Sequence, residues 1–389
     1  VSIRSQKAKD VGGVTCQFSR WQGLFDAAFV RQWDRLAADC AEPNAFCESW
    51  FLAPALRQFD TENRVQIFTL WDGDDLCGLM PVSLKPRYGR WWMPHVQNWM
   101  HHNAFLGAPL VRSGYEQEFW RNFLRTLDAQ PGSALFVHLC DLPIDGPLGA
   151  ALCSVARQHH RRIDCVARKS RAFLQSTLGP DAYFERAVRP KKRKELRRQK
   201  GRLSDEGVLT FIRCDSDAGL EPWIEEFLTL ERRGWKGAYG SALDCADATR
   251  NLFIEVLKGA AFAGKLERLE LRLDGKPLAM LVNFMTPPGS FSFKTAFDED
   301  YARFSPGVLL QIENLALLER TDIAWCDSCA AEGHPMIDSI WTERRRVGRY
   351  SVAIGGRGRR AIFGMLLNTE LARNAARASS VRDGIRSQS

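Results

Sequence analysis

Apolar and polar positions alternate most clearly between Leu266 and Trp341. LERLELRLDGKPLAMLVNF reads as two apolar-rich strands about a turn at Asp274-Gly275, and SFSFKTAF as a third alternating strand. A helix opened by Pro306-Gly307 follows, then a further strand from Ile323. The same order stands earlier in the chain. VQIFTLWDGDDLCGLMPVSL gives two strands about Asp72-Gly73, HVQNWMHHNAF a third strand carrying His101 and His102, EQEFWRNFLRTLDA a helix, and SALFVHLCDLP a strand. Four elements in matching order predict an internal duplication of one α/β unit, since an Asp-Gly turn alone is common.

The connecting segments read as a helix over Pro147–His160, a strand near Ala172–Ser176, and a break at Gly179-Pro180. Asp181 then opens a basic helix, ERAVRPKKRKELRRQKGRLSDEG, whose only regular apolar positions are Leu196 and Leu203. Those two predict a narrow seam on an otherwise solvated helix. VLTFIRC is a strand and Leu220–Trp235 a helix, followed by a loop through Asp247. Upstream, Asn44 and Glu48 are placed to open a short helix carrying Phe46, Trp50, Phe51 and Leu52. The expected organisation is a flexible lead-in over 1–20, a first domain over 21–180, a second over 181–355 with the basic helix at its start, and a basic tail over 356–389. AIFGMLLNTELARNAARA in that tail suits a helix on the protein or at a membrane surface.

Composition narrows the setting. With 45% hydrophobic and 26% charged residues in 389, the chain reads as globular with two cores, and its formal charge of +8 suits an anionic partner without choosing one. The 11 cysteines are odd in number and scattered through apolar runs, as buried reduced thiols are, so a cytoplasmic protein is expected. Cys326 and Cys329 form one C-x-x-C with no second pair at zinc spacing, and no metal is expected. VSIRSQKAKDVGG lacks the apolar core of a signal peptide, and no apolar run reaches bilayer length. Membrane contact is therefore expected only as peripheral association at the inner face.

Three stretches carry a family resemblance: Y-x-x-x-S-P-G-x-L-L from Tyr301, N-x-F-x-x-x-W-F-L-x-P-A-L from Asn44, and LERRGWKG from Leu230. Together with the order of strands, they resemble the GNAT-related acyltransferases. The nearest likeness is to the BioF2-like and cellulose-biosynthesis acetyltransferase domains, relatives of the Fem peptidyl ligases with their tandem GNAT architecture. The resemblance spans roughly residues 20 to 355 and implies two tandem GNAT-like α/β domains with mixed sheets flanked by helices. It also implies acyl-CoA as a co-substrate, with no permanently bound cofactor.

Glu231 falls inside the apolar arc of Leu220, Trp223, Ile224, Phe227 and Leu228, where a carboxylate either pairs with a cation or has its pKa raised. The first outcome is an internal salt bridge to a nearby arginine; the second suits a general base. In the resembling segment Glu231 stands where histidine often does, and Trp235 falls at the family's tryptophan, which implies contact with substrate. Lys294 sits inside an apolar strand and must reach an anion or water, either a CoA phosphate or thioester carbonyl or the sheet edge. Ser305, Gly307 and Val308 open the next helix, where the resemblance implies CoA phosphates lie and where a plain helix start is equally consistent.

After the strand Ile323–Cys326 come Asp327, Ser328, His334, Asp338 and Trp341. The resemblance implies that Asp327, Asp338 and Trp341 lie toward substrate, although HPMID replaces the family's usual Tyr-Lys. His334 near Glu332 and Asp338 suits a proton shuttle or a solvated loop position.

The implied reaction is attack of a neutral amine on a thioester, with Glu231 or His334 taking the proton and backbone N–H or a cation such as Lys294 holding the oxyanion. No serine or cysteine has an elbow or triad setting, which disfavours an acyl-enzyme. The resemblance extends to bacterial ceramide synthases, which acylate a sphingoid-type long-chain base, and to acetyltransferases acting on a sugar or exopolysaccharide precursor. The basic connector and basic tail favour the sphingoid-base acceptor; the sugar or exopolysaccharide precursor and a non-catalytic lipid- or polysaccharide-binding scaffold are the alternatives. The basic helix has no interleaved aromatics or nucleic-acid module, so it reads as a solvated connector or a face for anionic membrane, with no nucleic-acid partner.

Overall fold

A computed structural model describes residues 8–9 and 13–386. In chain order it contains β1 (Ala8–Lys9), β2 (Val14–Arg20), α1 (Ala27–Ala38), α2 (Ser49–Phe59), β3 (Val65–Asp72), β4 (Asp75–Lys85), β5 (His95–Asn98), β6 (Leu110–Val111), α3 (Glu116–Ala129), β7 (Phe136–Pro143), α4 (Pro147–Gln158) and β8 (Ile163–Leu174). There follow α5 (Pro180–Ala187), α6 (Pro190–Ser204), β9 (Leu209–Cys214), α7 (Leu220–Arg233), α8 (Trp235–Ala238), α9 (Asp247–Phe262), β10 (Leu266–Leu273), β11 (Lys276–Thr286), β12 (Gly289–Phe297), α10 (Pro306–Glu313), β13 (Trp325–Asp327), β14 (Glu343–Ala353) and α11 (Arg357–Arg386).

The chain folds as two compact α/β units, one of residues 1–47, 62–169 and 346–389, the other of 48–61 and 170–345. In the first unit β1 to β5 pair antiparallel in sequence order, β5 then runs parallel to β7, and β14 lies antiparallel on the far side of β7. In the second, β9 to β12 pair antiparallel, β12 runs parallel to β13, and β13 pairs antiparallel with the end of β8. The parallel step follows a helix in both, α3 before β7 and α10 before β13, because a parallel neighbour needs a crossover. This is the tandem GNAT-like arrangement. Both hairpins turn where Asp-Gly stands, with Gly73 at φ 56°, Asp274 at 47° and Gly275 at 81°.

Helix α2 belongs with the second unit because it packs against α9, where Gly259 leaves only 3.1 Å between a hypothetical Cβ and both the Cβ and carbonyl oxygen of Trp50. Lys265 and the indole N–H of Trp50 both meet Glu48 at the start of that helix. The basic helix divides into α5 and α6 at Arg189-Pro190, as a proline restricts the residue before it. Only Leu196 and Leu203 of α6 are buried, which is the seam read from the sequence.

Two readings change, and one element is new. Val14–Arg20, read as part of the lead-in, is a strand in register with β3; the rest of that lead-in, apart from 8–9 and 13, lies outside the described residues. His101 and His102 lie beyond β5, which ends at Asn98, in a turn where the His101 carbonyl accepts from the Ala104 N–H at 2.9 Å. The new element is strand β14, in the run after Trp341 to which the sequence pattern assigned no element; Val347 and Val352 are buried in it, and α11 follows.

Candidate active site in the second unit

Helix α7 ends because Gly234 takes an extended ψ of −175°, and the chain restarts as the short helix α8. That break brings Lys236 back onto α7. Its ammonium lies 2.7 Å from Glu231 Oε1 and 3.4 Å from the Thr295 carbonyl oxygen on β12. Glu231 Oε2 accepts the Leu243 N–H at 2.8 Å, so the carboxylate, 4% exposed, is engaged on both oxygens. The salt bridge expected at Glu231 is therefore there, with lysine in place of arginine. Trp235, half exposed, donates its backbone N–H to Glu299 Oε1 at 2.7 Å, and its ring meets the Tyr239 ring edge-on. A space of only about 20 Å³ lies among Glu231, Trp235, Lys236, Thr295 and Glu299.

Lys294 stands on β12 beside Thr295. Register against β11 shifts between Asn283, opposite Ser292, and Val282, opposite Lys294, so Phe293 is the extra residue of a bulge that re-aims the strand at Lys294. Burial, then the Lys236 charge, pushes the Lys294 ammonium down to about 8, against an opposing pull from Glu231. Behind the bulge lies a polar chain, largely buried beyond its exposed Arg213 end, that the sequence did not announce. Arg213 pairs with Glu267, Asn283 donates to Glu267 and Asn314, Asn314 to Gln311, and Gln311 to Ser292 and Thr295 at 3.4 Å. Each of these residues reads as an ordinary strand or helix position alone, and β10, β11 and β12 are buried almost continuously, so no alternation signalled them.

His334 lies on the loop after β13. Burial first, and Lys236 next, lower its pKa against an opposing Asp338. Its Nδ1 is buried with no hydrogen-bond partner among the described residues, and so is Asp338 Oδ1. The structure thus brings Glu231, Lys294 and His334 into the field of one lysine, Lys236, which sequence reasoning missed although it stands five residues after Glu231 beyond a helix-breaking glycine. Ser305 caps α10 in the left-handed region, at φ 55°, and its carbonyl takes the Val308 N–H at 2.9 Å. At Gly307 a Cβ would lie 3.0 Å from Met336 Sδ and 3.4 Å from Phe297, so glycine lets α10 close on the loop beyond His334.

Asp327, Ser328 and Trp341 are placed differently. Asp327 is fully buried, held by Arg171 at 2.7 Å, Arg345 at 3.1 Å and the Cys329 N–H at 3.0 Å. Burial pushes its carboxyl up, but the two guanidiniums outweigh that and keep it below the ordinary range. Ser328 caps the next turn through the Ala330 N–H. Trp341 is wholly enclosed with Tyr183, Leu196 and Ile337. Asp338 faces Arg344 at 3.8 Å.

Residues 190–334 match the acetyltransferase (GNAT) domain model, a stretch running from α6 to His334. The chain is an acyltransferase built on the GNAT fold. Among solved structures it is similar to FemX, at 10% identity over 83% of this chain and 95% of that one with a TM-score of 0.55. It is also similar to a conserved protein of unknown function from Bacteroides thetaiotaomicron, at 12% identity over 84% and 97% with a TM-score of 0.53. At these identities the likeness is one of fold. No curated protein matches the sequence.

Proposed function

We propose that the second unit transfers an acyl group from a CoA thioester to the amine of a long-chain acceptor of sphingoid type. The observation that carries the reading is Lys294, a buried ammonium whose pKa is lowered to about 8, at a β-bulge beside Lys236 and Glu231. The amine attacks the thioester carbonyl carbon, the carbon–sulfur bond breaks, and the thiolate leaves as CoA. Lys294 and Lys236 supply cationic N–H groups to the oxyanion in a site where desolvation strengthens them. His334, kept neutral by burial, has a free Nδ1 to take the amine proton and return it to the thiolate. Glu231 holds Lys236 in place. Ser305, Gly307 and Val308 form the helix start toward which CoA phosphates would lie. The choice of a lipid acceptor is supported by the cationic, largely solvated face of α6.

The test is mass spectrometry of the purified protein with acetyl-CoA, palmitoyl-CoA, sphinganine and amino sugars. A long-chain amide of sphinganine is the expected product. An acetylated sugar would move the acceptor to polysaccharide precursors, and no product from any pair would refute the reading. Glu231→Gln is expected to lower kcat by about 10-fold to 100-fold by releasing Lys236.

A further inference from the structure

The first unit holds a cavity of about 970 Å³, at the upper end of the range of roughly 300–1,000 Å³ usual for small-molecule sites. Every residue that lines it belongs to that unit, and none belongs to the acyl-transfer group. Met93, Phe136, Phe363, Leu366 and Leu367 give it an apolar wall where α11 lies against β7. Its rim is a tight loop closed by two hydrogen bonds between Tyr88 and Trp91, at 3.0 and 3.1 Å, with Gly89 at φ 55°. The loop presents Trp91 and Trp92, 48% and 70% exposed. Arg90 stacks on Trp91 at 4.9 Å and Arg87 on Trp92 at 5.6 Å. Neither guanidinium pairs with a carboxylate among the described residues. Glu370, the one carboxylate among the described lining residues, accepts from the Tyr88 hydroxyl.

We infer that this cavity is a binding site for a single-chain anionic amphiphile, a long-chain fatty acid, with its alkyl chain against Phe136, Phe363 and Leu367 and its carboxylate at Arg87 and Arg90. The apolar wall supplies the chain's affinity, and Arg90 on the rim, with Arg87 stacked on the lining Trp92, against one engaged carboxylate sets the sign of the head. Tryptophans at the mouth suit the boundary between chain and head, having an apolar body and a polar edge.

Isothermal titration calorimetry of the full chain with octanoate, decanoate and dodecanoate below their micelle concentrations tests it. Affinity is expected to rise on the order of tenfold for every two carbons, as buried methylenes require. Leu366→Trp, which fills the cavity from a half-buried position, is expected to weaken dodecanoate at least about tenfold. The surface variant Arg87→Ser/Arg90→Ser should weaken dodecanoate similarly while leaving dodecanol unchanged. A flat chain-length series, tighter binding of dodecylammonium than of dodecanoate, or a double arginine variant that binds dodecanoate as well as the parent would overturn the inference. So would association with anionic vesicles and no binding of monomeric dodecanoate. Acyl-transfer activity enters none of these readouts, so the two readings fail separately.

Discussion

Replacing Lys294 by methionine should make the protein more stable at neutral pH while removing its activity. The fall of the ammonium pKa from 10.5 to about 8 measures what the fold loses by keeping the charge inside. At about 1.36 kcal/mol for each tenfold in proton affinity, the penalty is roughly 3 kcal/mol, an upper bound because the side chain is only partly enclosed. Below pH 8 the lysine is charged in both folded and unfolded chains, and the whole penalty is present. Between pH 8 and 10.5 the unfolded chain binds the proton that the folded one has released, so the parent gains stability as pH rises. Above 10.5 the two are alike. The advantage of Lys294→Met should therefore be constant up to pH 8, shrink through the next two to three pH units and vanish. Urea unfolding of both proteins at pH 7, 9 and 10.5 reads this directly. A variant less stable than the parent at pH 7, or an advantage that grows with pH, would mean that Lys294 carries no desolvation penalty in the folded chain. Turnover should fall by about 100-fold to 1,000-fold, as when an oxyanion donor is lost.

Asp327→Asn removes the carboxylate charge held between Arg171 and Arg345, whose side chains are 8% and 10% exposed, and should cost about 3–5 kcal/mol by thermal or urea unfolding. Because the Asp327 carboxyl is held below its ordinary value, its contribution is complete above that value and is lost as pH falls through the folded one; the variant's melting temperature should lack that acid dependence. The kcat/KM of the parent should fall on the acid side through a pKa below 6.5 belonging to His334, and His334→Gln should flatten that limb; an unchanged limb would remove His334 from proton transfer. Burial raises the Cys326 and Cys329 thiols, so brief alkylation of the native protein at pH 8 should label exposed Cys245 and spare both, as peptide mapping would show.

Local rules were enough for the repeated elements. The two Asp-Gly turns, helix α3, the seam of Leu196 and Leu203 and the start of α10 are set by residues within a few positions of each other, so period and turn chemistry announce them. The same arithmetic placed Glu231 on the apolar arc of α7, where a carboxylate must find a partner. What that partner is depends on where Gly234 turns the chain. Asp327 shows the other limit. It is held by Arg171, 156 positions away in sequence, and by Arg345, 18 away. No periodicity carries that information, because pairing across strands and loops is fixed by packing. Likewise, β14 pairs with β7 and α2 packs on α9, each joining the sheet or helix that buries its apolar side, whatever its place in the chain. Period and turn chemistry were enough for the repeated elements, their order and the carboxylate that needed a cation, though not for β2 or β14. Only the tertiary structure decided which cation it met and how far burial lowered the lysine beside it, since desolvation is a property of the assembled surroundings and not of neighbours in sequence.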